Sequence, residues 1–292
     1  MLHRFILHND SISEASTPLL SAGQVGLLSG WGVFTTMRVA EGVPFAFERH
    51  WARLCRDAAA LHVPMPPESE PVRRKLLDLI EANQADQCTL RLVIVRNGGG
   101  LWEGPPLGRA SDIIGLTANS KLWGPSASLD VVPHARHAAN MFAGAKITSW
   151  AMNLTWLETA QVRGFDEALL LNERGEVAEC TSANIFLAEG DEVWTPPLTA
   201  GCLPGITREV LLSETLVPGI HVRERTILPA DLDAAAAIFI SSTTRNLLPV
   251  RYIEGHQLRH NERVWEALED AFEAYVKRYV AQHKRIPVST AK

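Results

Sequence analysis

A change of texture between residues 119 and 135 divides this sequence into two parts. The segment 119–135 has no helical periodicity and contains glycine, proline and serine, which is typical of a connection leading into a strand at 128–132. The chain of 292 residues is long enough for two domains of about 150 residues each. The sequence therefore predicts a small α/β domain over 1–118, an interdomain linker over 119–133 and a larger β-rich domain over 134–292.

Both parts combine helices with short strands. Apolar residues that recur at helical spacing predict helices at 47–61 and 70–84 in the first part and at 149–163, 207–217 and 261–283 in the second. Runs of β-branched and apolar residues predict strands at 4–8, 32–39, 88–95 and 112–117, followed by 128–132, 166–171, 176–179, 184–187, 192–195, 221–226 and 236–241. The closer spacing of the later strands indicates that the second part is built mainly on a sheet.

The composition excludes several classes of protein. Apolar residues make up 46% and charged residues 21% of the chain, as in ordinary globular proteins. The net charge is −5, without a run of like charges, so we expect neither nucleic acid nor a membrane as a partner. No apolar stretch has the length of a membrane span, and the apolar part of the N-terminus is too short for a signal peptide. The four cysteines are far apart, and we expect them to be reduced thiols of a cytoplasmic protein.

Lys146 is the first candidate for a reactive group. The chain has six lysines and 22 arginines, and Lys146 lies among small and apolar residues with no carboxylate within ten positions on either side. A lysine that is far from anions loses its proton more readily, as an amine nucleophile requires. Taken alone, the same pattern also fits a surface lysine at the start of a helix.

Glu179 is the second candidate. Alternation along the strand predicted at 176–179 places Val177, Glu179 and Thr181 on one face, among small residues. A carboxylate in this setting can pair with a buried cation. Taken alone, a solvated glutamate at the end of a strand would show the same pattern.

Three further segments could bind an anion such as a phosphate. The helix that begins at 205–207 would offer free backbone N–H groups and a threonine hydroxyl. A predicted strand ends in the four hydroxyl residues 241–244, and Arg53 lies on the first predicted helix, three residues after His50. A plain helix cap, a serine-rich turn and a surface arginine are the alternatives. The two histidine pairs whose spacing would suit a metal have no further ligands beside them, so no metal site is predicted.

In their order and spacing, these candidate residues resemble those of the class IV aminotransferases. These are pyridoxal phosphate enzymes of fold type IV, and they include branched-chain and D-amino acid aminotransferases and 4-amino-4-deoxychorismate lyase. The resemblance covers nearly the whole chain and depends on Arg53, Lys146, Glu179 and the segments 32–38, 164–168, 205–208, 242–244 and 249–250. It implies an α+β fold in which a small α/β domain packs on a larger domain with a barrel-like β core. Pyridoxal 5'-phosphate would lie between them, in a homodimer or larger homo-oligomer.

The resemblance also implies roles for individual residues. By position, Lys146 would form the Schiff base with the cofactor, and Glu179 would pair with its pyridine nitrogen. The remaining cofactor contacts, to the phosphate and to one face of the ring, would be those of Arg53, Leu203, Ile206, Thr207 and Thr243. The implied reaction is a transamination between an amino acid and a 2-oxo acid such as 2-oxoglutarate, in two half-reactions that share one site and give ping-pong kinetics. Lys146 would move the proton from the substrate Cα.

The sequence constrains the substrate less than the cofactor. Phe34 stands where D-amino acid aminotransferases have a tyrosine, and Leu101 and Glu103 where they have an arginine and a histidine, so a D-amino acid is not expected. Arg91 matches an arginine of branched-chain aminotransferases, but Thr89 replaces their tyrosine. We expect a branched-chain or similar apolar L-amino acid. The candidate pocket residues are Phe34, Thr36, Arg91, Arg96, Trp102, Trp150 and Thr244.

Two other interpretations stay open. The residues Phe34-Thr35-Thr36 and the loop 96–100 resemble 4-amino-4-deoxychorismate lyases, which eliminate pyruvate and leave 4-aminobenzoate with the help of a nearby hydroxyl. The third interpretation is a catalytically inactive protein that keeps the fold as a scaffold. The intact set of Lys146, Glu179 and Thr207 argues against it.

Overall fold

A six-stranded antiparallel sheet and two long helices form the first part of the chain. The computed structural model describes residues 1–101, 107–256, 258 and 263–284. The first strands are β1 (Leu2–His8), β2 (Ser11–Glu14), β3 (Gly32–Ala40), β4 (Val43–Pro44), β5 (Cys88–Arg96) and β6 (Ser111–Asn119), in the order β2-β1-β6-β5-β3-β4. The helices are α1 (Val25–Leu28), α2 (Phe47–Ala60) and α3 (Ser69–Ala82).

The helices α2 and α3 cover one face of this sheet because both present an apolar stripe to it. Leu54 on α2 and Leu76 on α3 are buried in one cluster with Leu90, Leu92 and Ile94 of β5. Side chains alternate along a strand, so these three β5 residues share a face. The intervening residues of β3 and β5 point to the opposite face, where the second part of the chain packs.

An eight-stranded mixed sheet forms the second part. Its strands are β7 (Ala127–Arg136), β8 (Glu167–Asn172), β9 (Val177–Cys180), β10 (Asn184–Glu189), β11 (Glu192–Thr195), β12 (His221–Glu224), β13 (Ala237–Ser242) and β14 (Asn246–Ile253), in the order β12-β11-β10-β13-β14-β7-β8-β9. The helices are α4 (Ala151–Val162), α5 (Ile206–Ser213), α6 (Pro229–Ala234) and α7 (Arg263–His283). The sheet curls so that β9, at one end of the order, packs beside β10. In the short connection between these two strands, Cys180 N–H donates to Ala183 O at 2.8 Å. This confirms the predicted α+β fold, with a half-barrel in the second part.

The two sheets meet where residues 146–148 pair with the free edge of β3. Phe34 N–H donates to Lys146 O at 3.0 Å, and Thr148 N–H donates to Gly32 O at 2.9 Å, with an antiparallel bridge between them. This pairing fixes the backbone just before α4 relative to the first sheet. The first sheet thereby sets the position of the Lys146 side chain.

The helix α7 connects both parts through an apolar stripe. Its buried residues recur every four positions and pack against β13 and β14. Phe272 also meets Phe45 edge to face, with ring centroids 5.9 Å apart. Arg38 on β3 forms an ion pair with Glu273 at 2.6 Å. Neither α7 nor any other helix in the described part combines the length and the apolarity needed to cross a membrane.

The observed elements differ from the predicted ones at a few places. The helix α5 ends at Ser213, before the predicted end at 217. Its last turn closes where Glu214 N–H and Thr215 N–H both donate to Val210 O, at 2.8 and 3.0 Å. The prediction lacks β2, α1, β4, α6 and β14. The helix α6 does have a local signal, since Pro229 begins it and the Asp231 carboxylate accepts Leu228 N–H at 2.7 Å. The sequence does not predict β14 because Pro249 lies within it, and proline is rare in central strands.

The division into domains stays a prediction. The strands β6 and β7 belong to different sheets, with residues 120–126 between them. The strand β7 begins at Ala127, inside the predicted linker 119–133, and continues to Arg136.

Candidate active site

A cavity of about 640 Å³ is lined by residues of both sheets. The predicted site residues that line it are Phe34, Thr36, Arg53, Arg91, Lys146, Trp150, Glu179, Leu203, Ile206, Thr207, Thr243 and Thr244. Arg96 does not line it, and Trp102 lies outside the described residues. Pockets of this volume suit small-molecule ligands. The described residues include no group of His, Cys, Asp or Glu side chains that could hold a metal ion.

Lys146 projects into the cavity from the segment that pairs with β3. Its backbone N–H donates to Asp57 Oδ2 on α2 at 3.0 Å, so the first part of the chain holds this residue through both its N–H and its carbonyl. Its Nζ lies 4.6 Å from the ring centroid of Phe34 and 5.4 Å from that of Trp150. These two rings pack edge to face and form an apolar wall beside the amine.

The surroundings of Lys146 favour the neutral amine. Burial lowers the pKa of Lys146 to about 7, and the positive charge of Arg53 acts in the same direction, against the negative charge of Glu179. A large fraction of molecules therefore carries an unprotonated Nζ at neutral pH, which is the nucleophilic form. The sequence predicts this direction from the absence of nearby carboxylates. In the structure, burial is the larger cause.

Glu179 is held by two donors. It lies on β9 and is 7% exposed. Its Oε2 accepts the backbone N–H of Leu203 at 3.0 Å, and its Oε1 accepts Nε of Arg136 at 3.0 Å in an ion pair. Both oxygens are therefore oriented by the protein, and the carboxylate presents a fixed negative charge to the cavity.

Arg136 is a site residue that sequence reasoning missed. It is the last residue of β7 and lines the cavity. Its guanidinium also donates to Asn153 Oδ1 at 3.3 Å and lies 5.5 Å from the ring centroid of Trp156 on α4. The only signal in the sequence is a continuation of the strand past Pro133, whereas the prediction ends this strand at 132.

The N-terminus of α5 forms one wall of the cavity. Gly205 is the N-cap residue and makes no side-chain cap, so the first N–H groups, those of Ile206 and Thr207, have no partner within the helix. A Cβ at Gly205 would lie 2.1 Å from Asn184 Oδ1, so only glycine fits here. Asn184 in turn donates to Leu203 O at 2.9 Å and shapes the turn before the helix. Free N–H groups at a helix N-terminus bind phosphate and carboxylate groups.

Arg53 adds a positive charge to this end of the cavity. It lies on α2, is 7% exposed and donates from Nη1 to Pro204 O at 3.1 Å and from Nη2 to Thr35 Oγ1 at 3.0 Å. Its Nε is buried and has no partner in the described part of the chain. Burial lowers the pKa of Arg53 to about 10, so the guanidinium stays charged at neutral pH.

Arg91 and Arg96 lie on opposite faces of β5. Five positions separate them, and side chains alternate along a strand. Arg91 lines the cavity and lies 4.8 Å from the Phe34 ring centroid, and none of the described carboxylates pairs with it. Arg96 instead donates to Gly98 O and to His62 O, at 2.7 and 2.8 Å. The structure therefore brings Arg91 to the cavity and directs Arg96 elsewhere.

Residues 32–253 match the model of the family described as amino-transferase class IV. A putative branched-chain-amino-acid aminotransferase from Methanocaldococcus jannaschii is 30% identical over 244 residues, which are 82% of this chain and 84% of that protein. The structure of branched-chain amino acid aminotransferase from Escherichia coli superposes with a TM-score of 0.85 at 23% identity, covering 94% of this chain and 95% of that one. A putative 4-amino-4-deoxychorismate lyase from Legionella pneumophila has a TM-score of 0.82 at 24% identity, with 89% and 96% covered. These two similarities show a shared fold.

Proposed function

Since the chain belongs to the class IV aminotransferases, we propose that it uses pyridoxal 5'-phosphate to transfer an amino group between an amino acid and a 2-oxo acid. The observation that carries this proposal is Lys146, an amine with a lowered pKa, in one cavity with Glu179 and an anion site. The match to the family model shows that the protein is an enzyme of this class. The cofactor, the residue roles and the substrates are our inference.

The donor set of the cavity fits this cofactor at three points. The neutral amine of Lys146 matches an aldehyde, Glu179 matches a protonated ring nitrogen, and Arg53 with the N-terminus of α5 matches a phosphate. The unpartnered Nε of Arg53 and the uncapped helix N-terminus are groups that a bound phosphate would satisfy. Leu203 and Thr243, which also line the cavity, would contact the ring and the phosphate.

Each of these residues then has a chemical task. When bound, the cofactor supplies an electron-withdrawing ring that stabilises the negative charge left on a substrate Cα after deprotonation. Glu179, held by Arg136 and the Leu203 N–H, keeps the ring nitrogen protonated. Arg53 and the α5 N–H groups anchor the phosphate, which keeps the reacting bonds oriented. Lys146 Nζ serves first as the nucleophile and then as the base that takes the Cα proton.

We infer that the amino donor is a branched-chain or similar apolar L-amino acid and that the acceptor is a dicarboxylic 2-oxo acid such as 2-oxoglutarate. Phe34 and Trp150 form an apolar wall beside Lys146 Nζ that suits an aliphatic side chain. Arg91, without a carboxylate partner among the described residues, suits the second carboxylate of the acceptor.

A lyase acting on 4-amino-4-deoxychorismate is the second candidate. The observation that favours it is Thr36, whose neighbour across the β3/β5 ladder is Arg91 and which also lines the cavity. A hydroxyl and a cation would then face a substrate that carries carboxylates. An inactive scaffold is the third possibility, and the paired Glu179 and the lowered pKa of Lys146 argue against it.

Two assays on the pyridoxal phosphate-loaded protein separate these functions. One supplies L-leucine and 2-oxoglutarate and measures glutamate, and the other supplies 4-amino-4-deoxychorismate and measures pyruvate and 4-aminobenzoate. We expect amino transfer in the first assay. Pyruvate and 4-aminobenzoate without amino transfer would establish the lyase, and inactivity in both assays would favour the scaffold.

We also propose that the protein is a homodimer or larger homo-oligomer in the cytoplasm. The helix α4 is apolar and yet only Ala160 on it is buried, while Leu154 and Val162, which do not line the cavity, are exposed. Exposed apolar surface of this kind is typical of an interface. Sedimentation analysis of the purified protein tests the proposal, and a monomer at micromolar concentration would contradict it.

A further inference from the structure

Thr35 is a polar exception on the core-facing side of β3. Its neighbours on that face, Val33 and Met37, belong to the apolar core, and Thr35 itself is 1% exposed. A hydroxyl buried there needs hydrogen-bond partners. Thr35 Oγ1 has two, since it lies 3.0 Å from Arg53 Nη2 and 2.7 Å from His50 Nδ1.

The chemistry of these groups fixes the direction of the hydrogen bond between Arg53 and Thr35. A guanidinium can only donate, so Thr35 Oγ1 accepts from Arg53. The hydroxyl keeps a second lone pair and its own proton, so it can accept from a protonated His50 Nδ1 or donate to an unprotonated one. His50 is 1% exposed, and burial together with the charge of Arg53 holds the pKa of His50 well below its usual range, in agreement with a neutral ring. Thr35 therefore links Arg53 to His50 in one buried chain of hydrogen bonds.

This chain fixes one side of the Arg53 guanidinium. On its other side the guanidinium donates from Nη1 to the carbonyl of Pro204, the residue before the N-cap of α5. The guanidinium is thus held between β3 and the beginning of the helix that would bind the phosphate. We propose that Thr35 and His50 are positioning residues that orient Arg53 for the phosphate of the cofactor, an inference that rests on the proposed use of pyridoxal phosphate.

Removal of the Thr35 hydroxyl has a specific consequence. Arg53 then keeps only one of its two hydrogen-bond acceptors in the protein. Its side chain is more mobile in the free variant, so it loses more conformational freedom when an anion binds. Since a hydrogen bond to a charged group contributes about 1.5–3 kcal/mol, the affinity for a phosphate-bearing ligand should fall about tenfold or more. A ligand without the phosphate makes no contact with Arg53, so its affinity should not change.

The test compares dissociation constants of pyridoxal phosphate and pyridoxal for the apoprotein, measured by absorbance titration. We expect Thr35→Val, which keeps the shape of the side chain, to weaken pyridoxal phosphate binding about tenfold or more and to leave pyridoxal binding as in the wild type. Thr35→Ser keeps the hydroxyl, so the ratio of its two dissociation constants should equal that of the wild type. An unchanged ratio in Thr35→Val, or an equal loss for both ligands, would overturn the proposal.

A second pair of variants covers the case in which Thr35→Val does not fold. His50→Asn keeps a hydrogen-bonding atom on Cγ, whereas His50→Leu removes it at similar volume, so only His50→Leu should lose the preference for the phosphate. Equal preferences in both variants would overturn the proposal. A failure of the proposed function is recognised separately, because the wild type would then form no borohydride-reducible adduct with pyridoxal phosphate. If that adduct forms, the binding ratios decide the role of Thr35 and His50.

Discussion

At the scale of single residues, Lys146 makes the most direct pH prediction. A pKa of about 7 means that the neutral amine is already the major form above that pH. The rate at which apoprotein captures pyridoxal phosphate should therefore rise with pH up to about 7 and level off above it, falling about tenfold per pH unit on the acid side. Stopped-flow absorbance between pH 5.5 and 9.5 measures this profile. A rate that still rises steeply at pH 9 would mean that Lys146 has the pKa of an ordinary lysine and would contradict the prediction.

Glu179→Gln tests the charge at the ring nitrogen. Glutamine keeps the size of the side chain and one acceptor oxygen but removes the negative charge. We expect the variant to bind pyridoxal phosphate and to lose turnover about a hundredfold or more, because a fixed charge at the reacting system contributes on that scale. Steady-state kinetics measures the loss, and a binding titration is the control. Turnover close to that of the wild type would rule out the assigned role.

The sequence reveals residues whose chemistry is local and hides those whose position depends on distant contacts. Lys146 and Glu179 are recognisable because their neighbours and spacing are unusual. Arg136 is not, since its place beside Glu179 depends on β7 passing Pro133. The orientation of Arg96 is hidden as well, because the strand predicted at 88–95 continues to Arg96 in the structure and alternation then places it on the face opposite Arg91.

At the scale of elements, the beginning of α5 is held by close packing on a glycine. A Cβ at Gly205 would lie 2.1 Å from Asn184 Oδ1 and displace the N-terminal turn of the helix. We expect Gly205→Ala to lower the free energy of unfolding by about 1–3 kcal/mol and to weaken pyridoxal phosphate binding. Gly124→Ala is the matched control, since its Cβ would meet Ser126 O at an ordinary 3.6 Å. Equal behaviour of both variants in denaturant unfolding and cofactor titration would contradict this account of α5.

Periodicity predicts the long elements better than the short ones. The helix α2 has a strong apolar stripe and is found within one residue of its predicted limits. The strand β14 is missed because Pro249 stands in a central strand, where its missing N–H is tolerated only through the surrounding pairing with β13 and β7. Local rules fail where a neighbouring strand decides the conformation.

For the whole molecule, α7 is the element that connects the two parts. Phe272 is 2% exposed and contacts both the second sheet and Phe45 of the first part. Phe272→Ala should lower the free energy of unfolding by about 3–5 kcal/mol, because it leaves a cavity at this junction. Denaturant unfolding measures the change, with the exposed Lys277→Ala on the same helix as a control that should differ little from the wild type. A loss below about 1 kcal/mol would mean that α7 contributes little to the junction.

The junction itself lies beyond sequence reasoning. Residues 146–148 pair with β3, although more than a hundred residues separate the two segments in the sequence. The Asp57 carboxylate on α2 also accepts the Lys146 N–H. No local pattern in either segment specifies these contacts. They are set by how the two sheets pack, which depends on the whole core.

The central claim is that Lys146 is the amine that binds the cofactor, and one measurement tests it most directly. Protein loaded with pyridoxal phosphate is reduced with borohydride, digested and mapped by mass spectrometry. Lys121 also lines the cavity and serves as an internal control. We predict a pyridoxyl group on Lys146 alone and no stable adduct in Lys146→Ala. Labelling of Lys121, or of several lysines alike, would contradict the claim.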